Sequence, residues 1–293
     1  VSRRADWPLV LLLLSPSLAV FGVFVFWPLA HTIWLGQHEE DPFGLRRTYV
    51  GVERFWEVFT SDSFQNSLWV TLRFTLYTVP LGLVLGLGLA MLAHQRLRGI
   101  TLYRTIFSST VATSVAVASL MWLTLFNQNI GVINHLLAEL GRGPVRWLQD
   151  PATALPAVSA TTVWQNLGIT FIIISAGLQS LPDELYEAAR VDGIGRWRQF
   201  WHVTVPLLSP TLLFSGVVLT IAAFQSFGQI DLLTQGGPLD TTNVVVYSIF
   251  RVVRGGDYGL ASAQATILFL ILFALTMIQF KVLERRTFYG GAR

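Results

Sequence analysis

Cysteine is absent from the 293 residues, which excludes disulfides, thiolate metal sites and thiol catalysis. Lysine occurs once, as Lys281 in "IQFKVLERR", with no glycine loop beside it, so the chain carries no Walker A loop for phosphates. The five histidines, His31, His38, His94, His135 and His202, are scattered and include no pair at metal-ligand spacing. There is no G-x-S-x-G elbow either. The largest deficit is charge: 13% of residues are charged, about half the share of a soluble globular protein, while 53% are hydrophobic. Composition alone places the chain among membrane proteins.

What fills the chain instead is long apolar runs. No Asp, Glu, Lys or Arg lies between Asp6 and Glu39, or within 105–138, 151–182, 203–230 and 258–280, and Arg73 alone interrupts 66–93. Each run holds the roughly 20 apolar residues that a helix needs to cross a bilayer. The expectation is an all-α polytopic membrane protein with six spans at about 8–34, 67–93, 105–127, 153–178, 204–228 and 259–282. No low-complexity tract or linker divides it, so 1–293 reads as a single transmembrane domain. The opening "VSRRADWPLVLLLL" resembles the charged and apolar regions of a signal peptide, but the apolar run continues well past the usual length and reads as an uncleaved first span. The formal charge of +3 does not point to nucleic acid, because the basic residues are spread among loops without an aromatic-interleaved stripe.

Basic residues orient the spans. With the N-terminus inside, the inner segments carry Arg3, Arg4, Arg96, Arg98, Arg104, Arg190, Arg196, Arg198, Lys281, Arg285, Arg286 and Arg293. The outer segments carry only Arg46, Arg47, Arg54, Arg142, Arg146, Arg251 and Arg254, so the positive-inside rule puts both termini in the cytoplasm. The first outer segment, 38–65, contains "VGVERFWEVF", with the look of a short interfacial helix. Gly82, Gly86 and Gly88 in the second span permit close helix packing. Arg73 sits near the outer end of that span, where snorkelling to headgroups explains it better than the attraction of an anion. "NQNIGVINHLLAELGRGPVRWLQDP" reads as a short helix with turns, and Gly236, Gly237 and Pro238 demand a tight turn.

One inner segment, 179–206, is conspicuously polar, with Asp183, Glu184, Glu187 and Asp192 beside Arg190, Arg196 and Arg198. Pro182 starts a helix that Asp183 and Glu184 favour through its dipole. Gly193 ends it, and a second short helix, "GRWRQFWHV", follows. Two readings compete for it: an amphipathic loop on anionic lipid, or a docking element for a soluble partner. Ala188 and Ala189 allow close approach, and Glu187 offers a charge to a basic cleft.

The spacing settles on a family likeness. Glu187, Ala188 and Ala189, three residues, Gly193, nine residues, then Val203, Thr204, Val205 and Pro206 resemble the EAA motif of permease subunits in binding-protein-dependent ABC importers, with Val203 and Val205 in place of the usual Ile and Leu. "FGQIDLLTQGGP" at 227–238 and the six spans resemble the sugar and glycerol-phosphate permeases of the maltose-importer type. The resemblance implies the type I importer permease fold and coupling helices seated in a cleft of an ATP-binding subunit. It implies coupling roles for Glu187, Ala188, Ala189, Asp192, Gly193, Ile194, Gly195, Arg196, Trp197 and Pro206, with Glu187 as anchor and Gly193 as bend.

The partners so implied are a second, homologous permease, two ATP-binding subunits that hold ATP and Mg²⁺, and an extracytoplasmic substrate-binding protein, all at a bacterial plasma (inner) membrane. This chain then binds no cofactor and is a transport subunit, not an enzyme. An intramembrane enzyme or a secondary transporter would need ionisable groups within the spans, which offer almost none beyond Arg73. Trp164, Gln165 and Asn166 in the fourth span and Phe224, Gln225 and Phe227 in the fifth are candidates to line a solute path, and interhelix hydrogen bonding explains them about as well. "DLLTQGGPLDTTN" and "QFKVLERRTFY" look most like glycerol-3-phosphate or glycerophosphodiester permeases, and a sugar is the alternative cargo.

Overall fold

The computed structural model describes residues 7–40, 47–95 and 99–284. Arg3, Arg4, Arg46, Arg96, Arg98, Arg285, Arg286 and Arg293, which enter the charge count, lie outside them. Chain order begins with α1 (Trp7–Phe21), a π-helical turn and α2 (Trp27–Leu35), then strands β1 (His38–Glu40) and β2 (Arg47–Tyr49) and helix α3 (Glu53–Thr60). Next come α4 (Asp62–His94), α5 (Ile100–Ser108), α6 (Val115–Leu125), α7 (Val132–Glu139) and α8 (Ala154–Gln179). The polar segment forms α9 (Asp183–Val191) and α10 (Arg196–Gln199), and α11 (Val205–Phe224), α12 (Gly228–Leu233), α13 (Val245–Arg254) and α14 (Tyr258–Glu284) complete the chain.

Among the described residues, five stretches are helical, long and apolar enough to cross a membrane: Val10–Leu35, Asp62–His94, Ala154–Gln179, Arg196–Phe224 and Tyr258–Lys281. The sixth differs from the expected continuous span at 105–127. There the chain bends by 106° between Ile100–Ala112 and Val115–Leu125. The cause is local chemistry in "SSTVATS". A 3-10 turn closes Ser109–Ala112, Thr113 becomes extended, and the Ser114 hydroxyl accepts a hydrogen bond from the Val117 amide at 3.3 Å, starting a new helix. An apolar run records length but not a cap placed within it.

One compact unit comprises 1–65 and 249–270. The expected interfacial helix is α3, and the antiparallel pair His38↔Tyr49, Glu39↔Thr48, Glu40↔Arg47 ahead of it was not legible from such short strands. Arg54 is buried and ion-paired with Asp257 at 3.3 Å and Glu39 at 3.8 Å. Asp257 also accepts from the Leu260 amide at 2.8 Å, capping α14. Gly36 permits this packing, since a Cβ there would lie 3.0 Å from the Ala263 amide nitrogen.

The other unit comprises 66–248 and 271–293. Its core includes Ala90, Ala93, Phe171, Ile174, Leu178 and Leu208, which join α4, α8 and α11. Close approach depends on small residues: a Cβ on Gly86 would lie 2.5 Å from the Thr170 methyl, and one on Gly82 would lie 3.2 Å from Leu219, whereas Gly88 faces open space. Buried hydroxyls return to their own helices, as Thr71 does to Ser67 O, Ser159 to Leu155 O and Thr162 to Val158 O, so few polar groups need a partner elsewhere.

Candidate functional site

The polar segment is a helix, a turn and a second helix that runs unbroken into a membrane span. Pro182 stands in extended conformation before α9, Asp183 and Glu184 occupy its first turn, and Arg190 its last, each favourable to the helix dipole. The end of α9 is a Schellman motif. Gly193 adopts φ +70°, its amide donates to Arg190 O at 3.1 Å, and the Ile194 amide donates to Ala189 O at 2.9 Å. Glycine is required by that φ and not by crowding, because no atom lies within 4 Å of where its Cβ would be. Gly195 is extended, and α10 then passes through the π-helical turn Phe200–Thr204 into α11, whose first turn contains Pro206.

Two contacts hold the turn closed. The Tyr186 hydroxyl lies 3.3 Å from Thr204 Oγ1, and Gln199 Nε2 donates to Tyr186 O at 3.3 Å. Tyr186 and Ala189, three residues apart, share the face turned toward the chain itself, and Ala189 is only 5% exposed. Of the two alanines expected to admit a partner, Ala188 alone faces outward. Glu187, Arg190, Asp192, Gly193, Gly195, Arg196 and Trp197 are exposed, and Ile194 is half-buried. Glu187 meets Arg190 at 3.8 Å, both about two-thirds exposed, a pair whose net worth is small and which leaves the carboxylate available. Val191 and Trp197 are 87% and 74% exposed, and Trp197 packs edge-on to Trp201. Two such apolar side chains, flanked by Glu187, Arg196 and Arg198, give this knob the mixture of aromatic, arginine and small residues that partner surfaces use.

The path candidates separate. Gln165 joins a hydrogen-bonded chain: Gln229 Nε2 donates to Gln165 Oε1 at 2.7 Å, the Ser226 hydroxyl donates to Gln229 Oε1 at 3.2 Å, and Gln165 Nε2 donates to Thr113 O at 3.4 Å. That chain ties α8 to the break between α5 and α6 and to α12. Trp164 stands edge-on to Trp122 at 6.1 Å, and Asn166 is half-buried. Phe224 is fully buried, Gln225 is exposed, and Phe227 stacks on Tyr247 at 6.0 Å. Sequence reasoning missed Gln229 and Ser226, which stand beside the chosen Gln225 and Phe227 but point inward because α12 begins at Gly228. It also missed Asn134, which organises the α7 loop by donating to Gln128 O and Val145 O and accepting from the Val145 amide and Trp147 Nε1, all at 2.9–3.1 Å. A buried Asn with this many partners has no one-dimensional signature.

The fold is that of ABC importer permeases. A chain of a solved bacterial alginate ABC transporter, in complex with an alginate-pentasaccharide-bound periplasmic protein, matches with a TM-score of 0.81 at 23% identity, over 96% of each chain. The model of the family described as binding-protein-dependent transport system inner membrane component matches residues 79–289. The sn-glycerol-3-phosphate transport system permease protein UgpA of Yersinia pestis is 37% identical over 282 residues, covering 95% of each chain. Its counterpart in Pectobacterium atrosepticum is 36% identical over 291 residues, covering 98% of this chain and 97% of that one. This chain therefore belongs to the family of inner membrane components of binding-protein-dependent transport systems, and it is a multi-pass membrane permease.

Proposed function

We propose that this chain forms half of the translocation path of an ATP-driven importer for a small hydroxylated phosphate ester, sn-glycerol 3-phosphate or a glycerophosphodiester such as glycerophosphocholine. The near full-length likeness to the UgpA permeases supports that cargo. The observation that supports the coupling half of the reading is the helix–turn–helix of 183–199, whose Schellman turn at Gly193 leaves Glu187, Val191 and Trp197 exposed. In this reading the segment lies in the cytoplasm, as do both termini, and seats in a cleft of a separate subunit that binds ATP and Mg²⁺. Two such subunits, a second homologous permease and an external binding protein complete the assembly, and Gln165, Asn166 and Gln225 face the solute path. A saccharide is the second reading, favoured by the uncharged amide chain of Gln165 and Gln229, which suits hydroxyl groups.

Uptake by the reconstituted assembly tests both halves. Labelled glycerol 3-phosphate is expected to accumulate with ATP and the binding protein present, and Glu187→Ala is expected to lower uptake at least tenfold while the chain remains inserted. Parental uptake by that variant refutes the coupling role. Accumulation of a saccharide but not the phosphate ester replaces the cargo.

A further inference from the structure

The geometry points to a phospholipid site built into this chain, with Arg73 holding the phosphate and a groove between α4 and α8 holding an acyl chain. Arg73 is the one charged residue in the apolar part of α4. Its Cα lies about 16 Å along the helix from Asp62, at 1.5 Å per residue, and its side chain runs back one turn to place the guanidinium 5.1 Å from the centre of the Trp69 ring. Arg73 forms no ion pair among the described residues. A cation at that depth, unpaired by any carboxylate and steadied by an aromatic face, has an anion as its natural complement.

The space around it suits a lipid. The guanidinium borders a recess of about 260 Å³ lined by Asn66, Trp69, Tyr77, Pro151 and Thr241, a largely polar set. Tyr77 and Pro156 line both this recess and an apolar groove of about 530 Å³ along Pro80, Leu81, Val84 and Ala160, so the two lie side by side. A cationic, hydrogen-bonding pocket flanked by Trp69 and Tyr77, with an apolar trough beside it, matches a phosphodiester head and its tail. A free phosphate ester would use the recess and leave the trough unexplained, and a protein partner would use the trough and leave Arg73 unexplained. Snorkelling alone needs neither cavity. The proposal does not depend on which solute is carried.

The test uses the complete transporter, equilibrated in nanodiscs of phosphatidylcholine with one-tenth phosphatidylglycerol, released gently and analysed by native mass spectrometry for retained phospholipid. The parental complex is expected to retain one phospholipid more than Arg73→Gln or Val84→Trp, with occupancy lowered about fivefold by the loss of one basic residue near the headgroups. Arg73→Lys, which keeps the charge, is expected to retain it and guards against a trivial folding defect. Equal retention in the parental, Arg73→Gln and Val84→Trp complexes overturns the proposal. Loss in Val84→Trp alone also overturns it, because the phosphate is then not recognised. Displacement of the lipid by glycerol 3-phosphate would assign the recess to solute instead. Crosslinking of Leu81→Cys, the sole thiol in this chain, to the second permease would assign the groove to protein.

Discussion

Substituting Gly193 gives a graded test of how the polar segment works. Its φ of +70° is in the left-handed region, and the amides of Gly193 and Ile194 are bonded only because the chain turns there. No atom within 4 Å opposes a Cβ, so the cost of a side chain is conformational and not steric. Asn tolerates this region and should cost a few tenths of a kcal/mol, Ala about 1 kcal/mol, and β-branched Val about 2 kcal/mol. Local opening with those costs should speed hydrogen exchange at the Ile194 amide by less than twofold, about fivefold and about thirtyfold, respectively. Global stability should fall by the same small amounts, because the strain is carried by the folded state, while the packing of the α4–α8–α11 core, which does not include the turn, stays as it is. Binding-protein-stimulated ATP hydrolysis by the whole assembly should fall in the same order. Equal exchange in Asn, Ala and Val variants would refute the conformational argument. Parental ATPase and import in the Val variant, with its turn shown to be opened, would refute the turn's part in coupling.

Two further outcomes follow from packing. Gly86→Val forces atoms into the 2.5 Å gap to Thr170 between α4 and α8 and should destabilise the chain by about 1–3 kcal/mol, read as a lower melting temperature in detergent, whereas Gly88→Val, in open space, should not. Asp257→Ala removes the 3.3 Å partner of buried Arg54 and the cap on the Leu260 amide, and should cost about 2 kcal/mol, less than a fully buried pair because Asp257 is 43% exposed and Glu39 remains. The double change Arg54→Met with Asp257→Ala should recover part of that loss in a denaturation series, and no recovery would show that the cap carries the effect.

Much of the molecule was legible in one dimension because a bilayer simplifies the code. Membrane-spanning backbone must bond to itself, so an uncharged run of sufficient length means a helix. The ends of α9 were equally readable: Pro182 cannot continue an upstream helix, and Gly193 has the freedom that a Schellman turn requires, both local properties of single residues. The family likeness rested on the same residues, since Glu187, Gly193 and Pro206 stand at set intervals along one segment.

Other features were set by encounters between distant parts of the chain. Ala188 and Ala189 are chemically identical, and only the packing of Tyr186 against Thr204 turns one inward and leaves the other exposed. Gln165 became part of a polar chain because α12 delivers Gln229 to it from 64 residues away. The break in the third span depended on Ser114 finding the Val117 amide, a capping choice that hydropathy does not register. Arg73 read as a solitary charge until the fold set α8 and Thr241 around it. Periodicity and the bilayer's demand for internal hydrogen bonds determined which residues are helical. Only side-chain packing across helices decided which of them are buried, hydrogen-bonded or left exposed, because that depends on neighbours far away in the sequence.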